Sequence, residues 1–200
     1  MPSPPRTPMD DTGLNLLFRE ARTQNSWHPD RVSEALLHEI YDLAKMAPTS
    51  ANCAPGRFVF VTTPEGREKL KPALSEGNLD QTLSAPVTVI IGHDMEFYEY
   101  LPELYPHTDA KSWFTGNEAL IAETAFRNGT LQGAYLMMAA RALGLDCGPM
   151  SGFDGNKVNE AFFPDGRITV NFLCNIGYGD DKKVHTRSPR LDFDRFCQIV

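Results

Sequence analysis

The sequence has no excess of positive charge and no long apolar run. Its formal net charge is −7 at pH 7, and this acidic balance argues against nucleic acid as a partner. No apolar stretch reaches the length that spans a bilayer, so no membrane partner is predicted. The first residues, MPSPPRTPMDD, are polar and proline-rich and lack the apolar core of a signal peptide. We therefore expect a cytoplasmic protein.

Cysteine is scarce and scattered along the chain. Cys53, Cys147, Cys174 and Cys197 show no CxxC spacing and no nearby pair of histidines. Structural zinc sites need such ligand pairs, so no metal is predicted. Because free cysteines are among the most buried residue types, we expect reduced and mostly buried thiols.

Familiar nucleotide and hydrolase motifs are absent as well. No GxGxxG follows a predicted strand and no Walker loop is present, which argues against a Rossmann or P-loop nucleotide site. Ser151 lies in PMSGF, which lacks the first glycine of a GxSxG motif. His93 and Asp94 could form a base with its orienting carboxylate, or they could be an ordinary pair at the end of a strand.

The most apolar segment is a long helix predicted from Asn117 to Gly144. Its apolar and small residues recur at helical spacing around most of its circumference. A helix that is apolar on most faces is buried on most faces, so it belongs at the centre of the fold or in the seam between two subunits. The following loop, PMSGF, forms a rigid ledge whose glycine lets the backbone approach a flat ligand.

The rest of the pattern alternates strands with helices. Strands are predicted at residues 58–62, 87–91 and 168–176, and helices near residues 14–21, 33–44, 65–73 and 158–163. The first strand is almost continuously apolar, which predicts burial on both faces. Residues 78–81 are predicted to be a loop, and residues 92–109 an irregular, acidic excursion. This alternation indicates an α/β or α+β fold with a sheet covered on both faces.

The chain length fits one domain. Residues 1–12 are predicted to be a flexible arm, because the stretch from Met1 to Met9 holds four prolines and shows no periodicity. Residues 13–200 then form a single domain.

Two polar segments offer groups that could bind a cofactor. The run Arg22-Thr23-Gln24-Asn25-Ser26-Trp27 combines a cation, hydroxyls and amides, which suits a phosphate or a ribityl chain; a polar loop with a solvated arginine explains it equally well. The loop from Pro48 to Pro55 has a stiff frame of two prolines around short hydrogen-bonding side chains.

Taken in this order, these fragments resemble the nitroreductase-like flavoproteins, which are FMN-binding α+β homodimers. The resemblance covers the chain from Ala21 to the tail. It implies a nitroreductase-like central sheet covered by helices on both faces, a long central helix, and a homodimer with FMN at the interface. The cofactor-binding residues that it implies are Arg22, Thr23, Asn25, Pro48, Thr49, Ser50, Asn52, Asn78, Pro149, Met150, Ser151, Gly152, Arg187 and Arg190.

Within that set, each segment has an implied role. Residues 22–25 together with Arg187 and Arg190 correspond to the phosphate-binding residues, Asn78 to the amide beside the flavin pyrimidine ring, and residues 149–152 to the ledge beside the isoalloxazine. The sequence also departs from the family pattern. Asn25 stands where a second basic residue is usual, Ala54 where glutamine is usual, and Ser151 where an acidic residue is usual.

Several stretches are similar to the malonic semialdehyde reductase branch of this family, which acts in pyrimidine breakdown. They are PTSANC, GNLDQTLSAPV, SWF, ETAFRN and GLDCGPMSGFD. The resemblance implies that NADPH or NADH supplies a hydride, which passes through FMN to 3-oxopropanoate and gives 3-hydroxypropanoate. No catalytic side chain is assigned; the backbone N–H of Ser151 or Gly152 is expected near the flavin N5.

A carboxylate substrate also needs an anchor. An arginine forms the strongest charge-assisted pair with a carboxylate, and Arg57 and Arg127 are the candidates, with Trp113 and Phe114 as further substrate contacts. Two alternatives stay open: a broad nitro or quinone reductase with no dedicated aldehyde, and a flavin-binding protein without turnover.

Overall fold

The computed structural model describes residues 7–200 and centres on an antiparallel sheet. The strand order is β1-β2-β4-β3. The strands are β1 (Gly56–Val61), β2 (Val87–Asp94), β3 (Asp146–Met150) and β4 (Ile168–Gly177). Because β2 and β4 are central, β1 and β3 form the two edges.

Helices cover both faces of this sheet. They are α1 (Asp11–Leu14), α2 (Glu34–Ala44), α3 (Pro64–Leu70), α4 (Glu76–Leu83), α5 (Leu101–Leu104), α6 (Glu118–Ala142), α7 (Gly155–Phe162) and α8 (Phe193–Phe196). The side chains of Ser33, Thr63, Asn117 and Asp154 accept backbone N–H groups at the starts of α2, α3, α6 and α7, as polar N-caps do.

The central strand β2 divides the core into two layers. Val89 and Ile91 pack in a cluster with residues of α2 and α6, whereas Ile90 packs on the opposite face with residues of α3 and α7. Successive side chains of a strand point to opposite faces, so a strand that is apolar throughout needs cover on both sides. The predicted α+β fold with helices on both faces of the sheet is confirmed.

Helix α6 lies close to the sheet because small residues face it. A Cβ added at Gly133 would lie 2.8 Å from the Phe172 ring. Gly144, with φ of 81°, follows the helix and closes its last turn. The opposite face is open in one chain: Phe126, Leu131 and Tyr135 are 56%, 44% and 42% exposed. The prediction that most faces are buried is therefore wrong for a single chain, and the placement in a subunit seam stays a prediction.

Several local predictions need correction. Asn78 and Gln81 lie in α4 instead of a loop. Strand β1 is partly exposed along most of its length, because it is an edge strand with no neighbour on its outer side. Strand β2 continues to Asp94, so the irregular excursion is shorter than predicted, and it contains α5.

The predicted N-terminal arm coincides only in part with the described chain. Residues 1–6 lie outside the described residues. Helix α1 begins at Asp11, with the Asp10 side chain as its cap, so the boundary predicted at residue 12 falls inside a helix.

Neither a membrane-spanning helix nor a cluster of metal ligands is found in the part of the chain that the structure describes. Between residues 7 and 200, no helix combines the length and the hydropathy needed to cross a bilayer. Over the same range, no group of three or more His, Cys, Asp or Glu side chains is placed to hold a metal ion.

Candidate functional site

The polar segment from Arg22 to Trp27 lies against the start of β3. Thr23 forms a parallel bridge with Cys147, and the Gln24 N–H donates to the Cys147 carbonyl at 3.0 Å. A Cβ at Gly148 would lie 2.4 Å from the Gln24 carbonyl oxygen, so only glycine permits this approach. The Trp27 indole N–H donates to the Gln81 carbonyl at 3.0 Å. The segment is therefore fixed between β3 and α4.

This segment and the C-terminal tail enclose a cavity of 400 Å³ that we call the arginine cavity. It is lined by Leu17, Phe18, Ala21, Arg22, Thr23, Asn25, Arg141, Val184, His185, Thr186, Arg187, Ser188 and Arg190. The lining contains four arginines and no acidic residue. In a chain of net charge −7, such a cavity attracts an anion locally, against the overall field.

The arginines of the cavity keep their charge free for a ligand. Arg22 donates to the His185 carbonyl, and Arg187 donates to the carbonyls of Arg19 and Ala21 at 2.8 and 3.0 Å. These partners are neutral backbone groups, and the ion pairs found among residues 7–200 involve other cations. A guanidinium has five N–H donors, so donors remain for a phosphate group.

The ledge at the end of β3 is tied to α4. The Asn78 side-chain amide donates to the Gly152 carbonyl at 2.8 Å, and the Ser75 N–H donates to the same oxygen at 3.1 Å. The Gln81 amide in turn donates to the Asn78 side-chain oxygen at 2.5 Å. Among residues 7–200, no acceptor pairs with the backbone N–H of Ser151 or Gly152, so both donors are open to a ligand.

The loop from Pro48 to Pro55 holds a strained backbone. Ala51, Asn52 and Ala54 have φ values of 48°, 52° and 39°, a region that costs energy for residues with a Cβ. Hydrogen bonds hold the loop in this conformation. The Ser50 N–H donates to the buried Asn128 side chain at 2.9 Å, and the Thr49 hydroxyl accepts the Ala54 N–H at 3.1 Å. Strain maintained in this way is typical of functional loops.

Among residues 7–200 of one chain, no hydrogen bond joins the strained loop to the ledge. The hydrogen bonds of the loop lead to α6 and, through Asn52, to the Leu104 carbonyl at 2.8 Å. The hydrogen bonds of the ledge lead to α4. Pro48, Thr49, Ser50 and Asn52 thus form a group separate from residues 149–152, while Arg22, Thr23, Asn25, Arg187 and Arg190 come together in the arginine cavity.

Arg57 is engaged in a buried charge cluster. Its guanidinium donates to Asp94 at 2.7 Å and to the Ala54 carbonyl at 3.0 Å, and it lies 5.3 Å from the centroid of the Tyr100 ring. Arg167 also bonds Asp94, with both distances 2.9 Å. Burial opposes the charge on Asp94, but these hydrogen bonds and charges outweigh it and lower the pKa of the carboxyl.

The remaining substrate candidates differ in accessibility. Phe114 is buried and packs edge-on against Phe97, with ring centroids 4.9 Å apart, so its place is in the core. Trp113 is half exposed. Arg127 lies on the open face of α6 and pairs with Glu123, an exposed pair that holds it weakly.

Asp94 does not orient His93, so the interpretation of this pair as a general base with its orienting carboxylate is wrong. Asp94 bonds two arginines instead, and the buried Nδ1 of His93 has no hydrogen-bond partner among the described residues. Burial lowers the pKa of His93, which keeps the ring neutral at pH 7.

Of the four arginines that line the arginine cavity, sequence reasoning missed one, Arg141. Arg141 lies in the last turn of α6, where a cation is also expected from the helix dipole. Only the fold shows that this position faces the cavity.

The fold and the sequence both match proteins that are already described. A family model described as "Nitroreductase family" matches residues 19–178. A protein of Burkholderia lata, provisionally named NADH dehydrogenase/NAD(P)H nitroreductase, is 61% identical over 193 residues, covering 96% of this chain and 99% of its own. A similarly named protein of Ralstonia nicotianae is 53% identical over 192 residues, which are 96% of this chain and 98% of that protein.

Solved structures share the fold at low sequence identity. A protein from Exiguobacterium sibiricum, described as a nitroreductase in complex with FMN, aligns with a TM-score of 0.85 at 20% identity and covers 98% of this chain and 99% of its own. An enone reductase of gut-bacterial fatty acid saturation aligns with a TM-score of 0.81 at 21% identity, covering 96% and 99%.

Proposed function

Because the chain belongs to the nitroreductase family, we propose that it is an FMN-dependent oxidoreductase that uses NADPH or NADH to reduce a small organic acceptor. The observation that supports this proposal most is that two candidate binding groups lie at the two ends of β3. The arginine cavity lies at the start of the strand, where Thr23 bridges Cys147, and the ledge with its open N–H donors lies at the end. One strand thus connects a site for a phosphate with a site for a flat ring.

The residues present fit FMN. A phosphate monoester carries about −1.5 to −2 charges at pH 7, and the arginine cavity offers four guanidinium groups without a competing carboxylate. When bound, FMN supplies hydride transfer between a nicotinamide donor and a second substrate.

The chain itself contributes binding and orientation. Arg22, Arg187 and Arg190 would hold the phosphate, with Thr23 and Asn25 as neutral partners. The backbone N–H groups of Ser151 and Gly152 would donate to the ring system at its reactive edge. Asn78 holds the ledge in place through the Gly152 carbonyl. No side chain is assigned as a nucleophile, and water can supply the proton for an alkoxide product.

The identity of the flavin gives the first test. The protein should be purified, denatured, and the released flavin separated by chromatography. FMN is expected, because the residues described above offer a phosphate site and the sequence has no adenine-binding motif. FAD, or no flavin after reconstitution, would refute the proposal.

A homodimer would unite the two separated groups of site residues. The strained loop lies beside α6, whose open face bears Phe126, Leu131 and Tyr135. If this face packs on a second copy, the loop of one chain can approach the ledge of the other. The tail also needs cover, since Phe193 and Phe196 are 57% and 73% exposed.

Sedimentation velocity over a wide dilution range tests this assembly. We expect no folded monomer, because obligate homodimer interfaces are large and apolar, and large apolar side chains are exposed on both α6 and the tail. A stable monomer that retains its flavin would refute the dimer.

For the acceptor we propose malonic semialdehyde, 3-oxopropanoate. The structure favours Arg127 over Arg57 as the carboxylate anchor. Arg57 is already committed to Asp94, whereas Arg127 has only an exposed partner, Glu123. Arg127 also precedes Asn128, which holds the strained loop. Trp113, half exposed, is the aromatic contact that we retain, and Phe114 is not, because it is buried.

Replacing Arg127 by alanine tests the anchor. A charge-assisted hydrogen bond contributes roughly 1.5–3 kcal/mol, so kcat/KM for 3-oxopropanoate should fall about ten- to a hundredfold or more. An uncharged quinone should be reduced at an unchanged rate. The matched variant Arg57→Ala should lose stability and affect both substrates equally. An equal loss on both substrates in Arg127→Ala would show that Arg127 does not recognise the carboxylate.

Two other functions remain in competition. A broad nitro or quinone reductase would show no preference for the semialdehyde, and the shared fold of an enone reductase adds conjugated ketones to the acceptors worth testing. A flavin-binding protein without turnover would oxidise no NADPH with any acceptor. A steady-state panel of NADPH and NADH with aldehyde, nitroaromatic, quinone and enone acceptors separates these cases.

A further inference from the structure

We propose that Arg141 is a phosphate-binding residue of the cofactor site and supplies the cation that the polar segment lacks at Asn25. This inference rests on the proposed binding of FMN. It adds a residue from the C-terminal end of α6 to the phosphate site, which the resemblance assigned only to the polar segment and the tail.

The position of Arg141 is fixed by the way α6 ends. The Leu143 N–H donates to the carbonyls of Ala139 and Ala140, and the Gly144 N–H donates to the Arg141 carbonyl at 2.9 Å. Gly144 has φ of 81°, which reverses the chain. Strand β3 starts at Asp146, directly after this reversal. Arg141 is therefore held beside the point where the polar segment binds β3 through Thr23 and Cys147.

The surroundings of Arg141 favour an anion as its partner. Its side chain is half buried and lines the arginine cavity together with Arg22, Arg187 and Arg190. Between residues 7 and 200 it forms neither an ion pair nor a side-chain hydrogen bond, as the pairs given above involve other cations. A cation that served only the helix dipole would gain nothing from lying in a cavity with three like charges. The mutual repulsion of the four arginines is relieved when a dianion enters.

Because residue 25 is neutral, the charge of Arg141 adds to the attraction between the cavity and a phosphate. Asn25 also lines the cavity, and its side-chain amide carries no charge. Arg22 is the one cation that the polar segment contributes to the lining of the cavity. The guanidinium of Arg141, on α6, adds a cation to the cavity that Asn25 also lines, and its planar fork matches two phosphate oxygens.

Flavin binding measures this role without reliance on turnover. Flavin-depleted full-length protein should be titrated with FMN and with riboflavin, which lacks the phosphate, and the dissociation constants read from flavin fluorescence. The variants are Arg141→Gln, which keeps the first part of the stem and a polar end but removes the charge, and Arg141→Lys. The control is Arg31→Gln, which removes an exposed cation outside the cavity and changes the net charge equally.

The expected result separates a phosphate contact from a structural role. Arg141→Gln should raise the Kd for FMN about ten- to a hundredfold, the loss of one charge-assisted hydrogen bond, and leave the Kd for riboflavin unchanged. Arg141→Lys should recover part of the affinity, because it keeps the charge and loses the bidentate fork. Arg31→Gln should bind FMN as the wild type does.

Other outcomes overturn the inference. If Arg141→Gln binds FMN as tightly as the wild type, Arg141 does not contact the phosphate. If it weakens FMN and riboflavin equally, the residue acts only on the structure. Both results leave the proposed function intact, because the wild type still binds FMN; a wild-type protein that binds no FMN would overturn the proposed function itself.

Discussion

The side-chain amide of Asn78 donates to the carbonyl of Gly152 at 2.8 Å, and a Cβ built at Gly152 would lie 2.3 Å from the same nitrogen. The helix α4 is thus in direct contact with the ledge, with no room for a side chain between them. An isolated bridge between Leu74 and Phe153 continues this contact. The ledge is therefore rigid before any ligand arrives, and its open N–H groups keep a fixed direction.

Gly152→Ala should weaken flavin binding, because the new methyl group displaces Asn78 and shifts the ledge. Overpacking of this kind costs about 1–3 kcal/mol, which corresponds to a five- to hundredfold higher Kd for FMN if the shift falls entirely on the bound state. Fluorescence titration measures the change.

The matched control for this variant is Gly77→Ala. Gly77 lies in the same helix and has no neighbour within 4 Å of its built Cβ. Alanine there should stabilise the protein by about 0.5–1 kcal/mol and leave FMN affinity unchanged. If Gly152→Ala and Gly77→Ala bind FMN alike, the contact between Asn78 and Gly152 does not position the ledge.

Asp94→Asn should destabilise the protein strongly near neutral pH. Asp94 is buried and pairs with Arg57 and Arg167. The loss of its charge leaves Arg57 without its counter-charge and leaves Arg167 with the half-exposed Glu96 as its remaining partner. The expected cost is about 3 kcal/mol at pH 7, measured as the free energy of unfolding in urea.

The stabilisation that Asp94 contributes to the free energy of unfolding should decrease as the pH falls. The pKa of Asp94 is lowered in the folded protein, so its contribution is fully present above the unfolded value of about 3.9 and is lost as the pH falls through the folded value. The difference between wild type and Asp94→Asn should therefore shrink below about pH 4. A difference that stays constant down to lower pH would show that the carboxylate charge is not what stabilises the cluster.

Three of the four cysteines should be slow to react with thiol reagents. Burial raises the pKa of the Cys53 thiol to about 11, and a hydrogen bond with Cys147 together with burial raises the pKa of Cys174. The thiolate is the reactive form, so these groups are inert near neutral pH. Cys197 is exposed in the single chain. In Cys197→Ser, no thiol should react rapidly until the protein is unfolded; a rapid reaction in this variant would contradict the burial of the other three.

The sheet and its cover could be predicted from local patterns. Val89, Ile90 and Ile91 form an apolar run that needs helices on both faces, and the caps Ser33 and Asn117 mark the starts of α2 and α6. Local patterns do not predict features that depend on contacts between segments distant in sequence. Strand β1 is as apolar as β2 but is an edge strand, and Asn78 looks like a loop residue although Ser75 and the ledge hold it in a helix.

Part of the candidate site could be proposed from the sequence, either from residue types or, for Arg187 and Arg190, from the resemblance. The polar segment and the ledge stand out by their residue types, whereas the arginine cavity also contains Arg141, more than a hundred residues after Arg22. Sequence alone also offered Arg57 and Arg127 as equals. Only the structure shows that the Arg57 guanidinium already donates to the Asp94 carboxylate.

The proposed reaction is the transfer of a hydride from a nicotinamide donor to a carboxylate-bearing aldehyde by means of bound FMN. The most direct measurement is an anaerobic stopped-flow experiment with two mixing steps, in which NADPH first bleaches the visible absorbance of the flavin and 3-oxopropanoate is then added. We expect the absorbance to return at a rate that saturates with 3-oxopropanoate and matches turnover, with 3-hydroxypropanoate as the product. If the absorbance returns with a quinone or a nitroaromatic but stays bleached with 3-oxopropanoate, the claim for this substrate is contradicted and a broad reductase is the correct function.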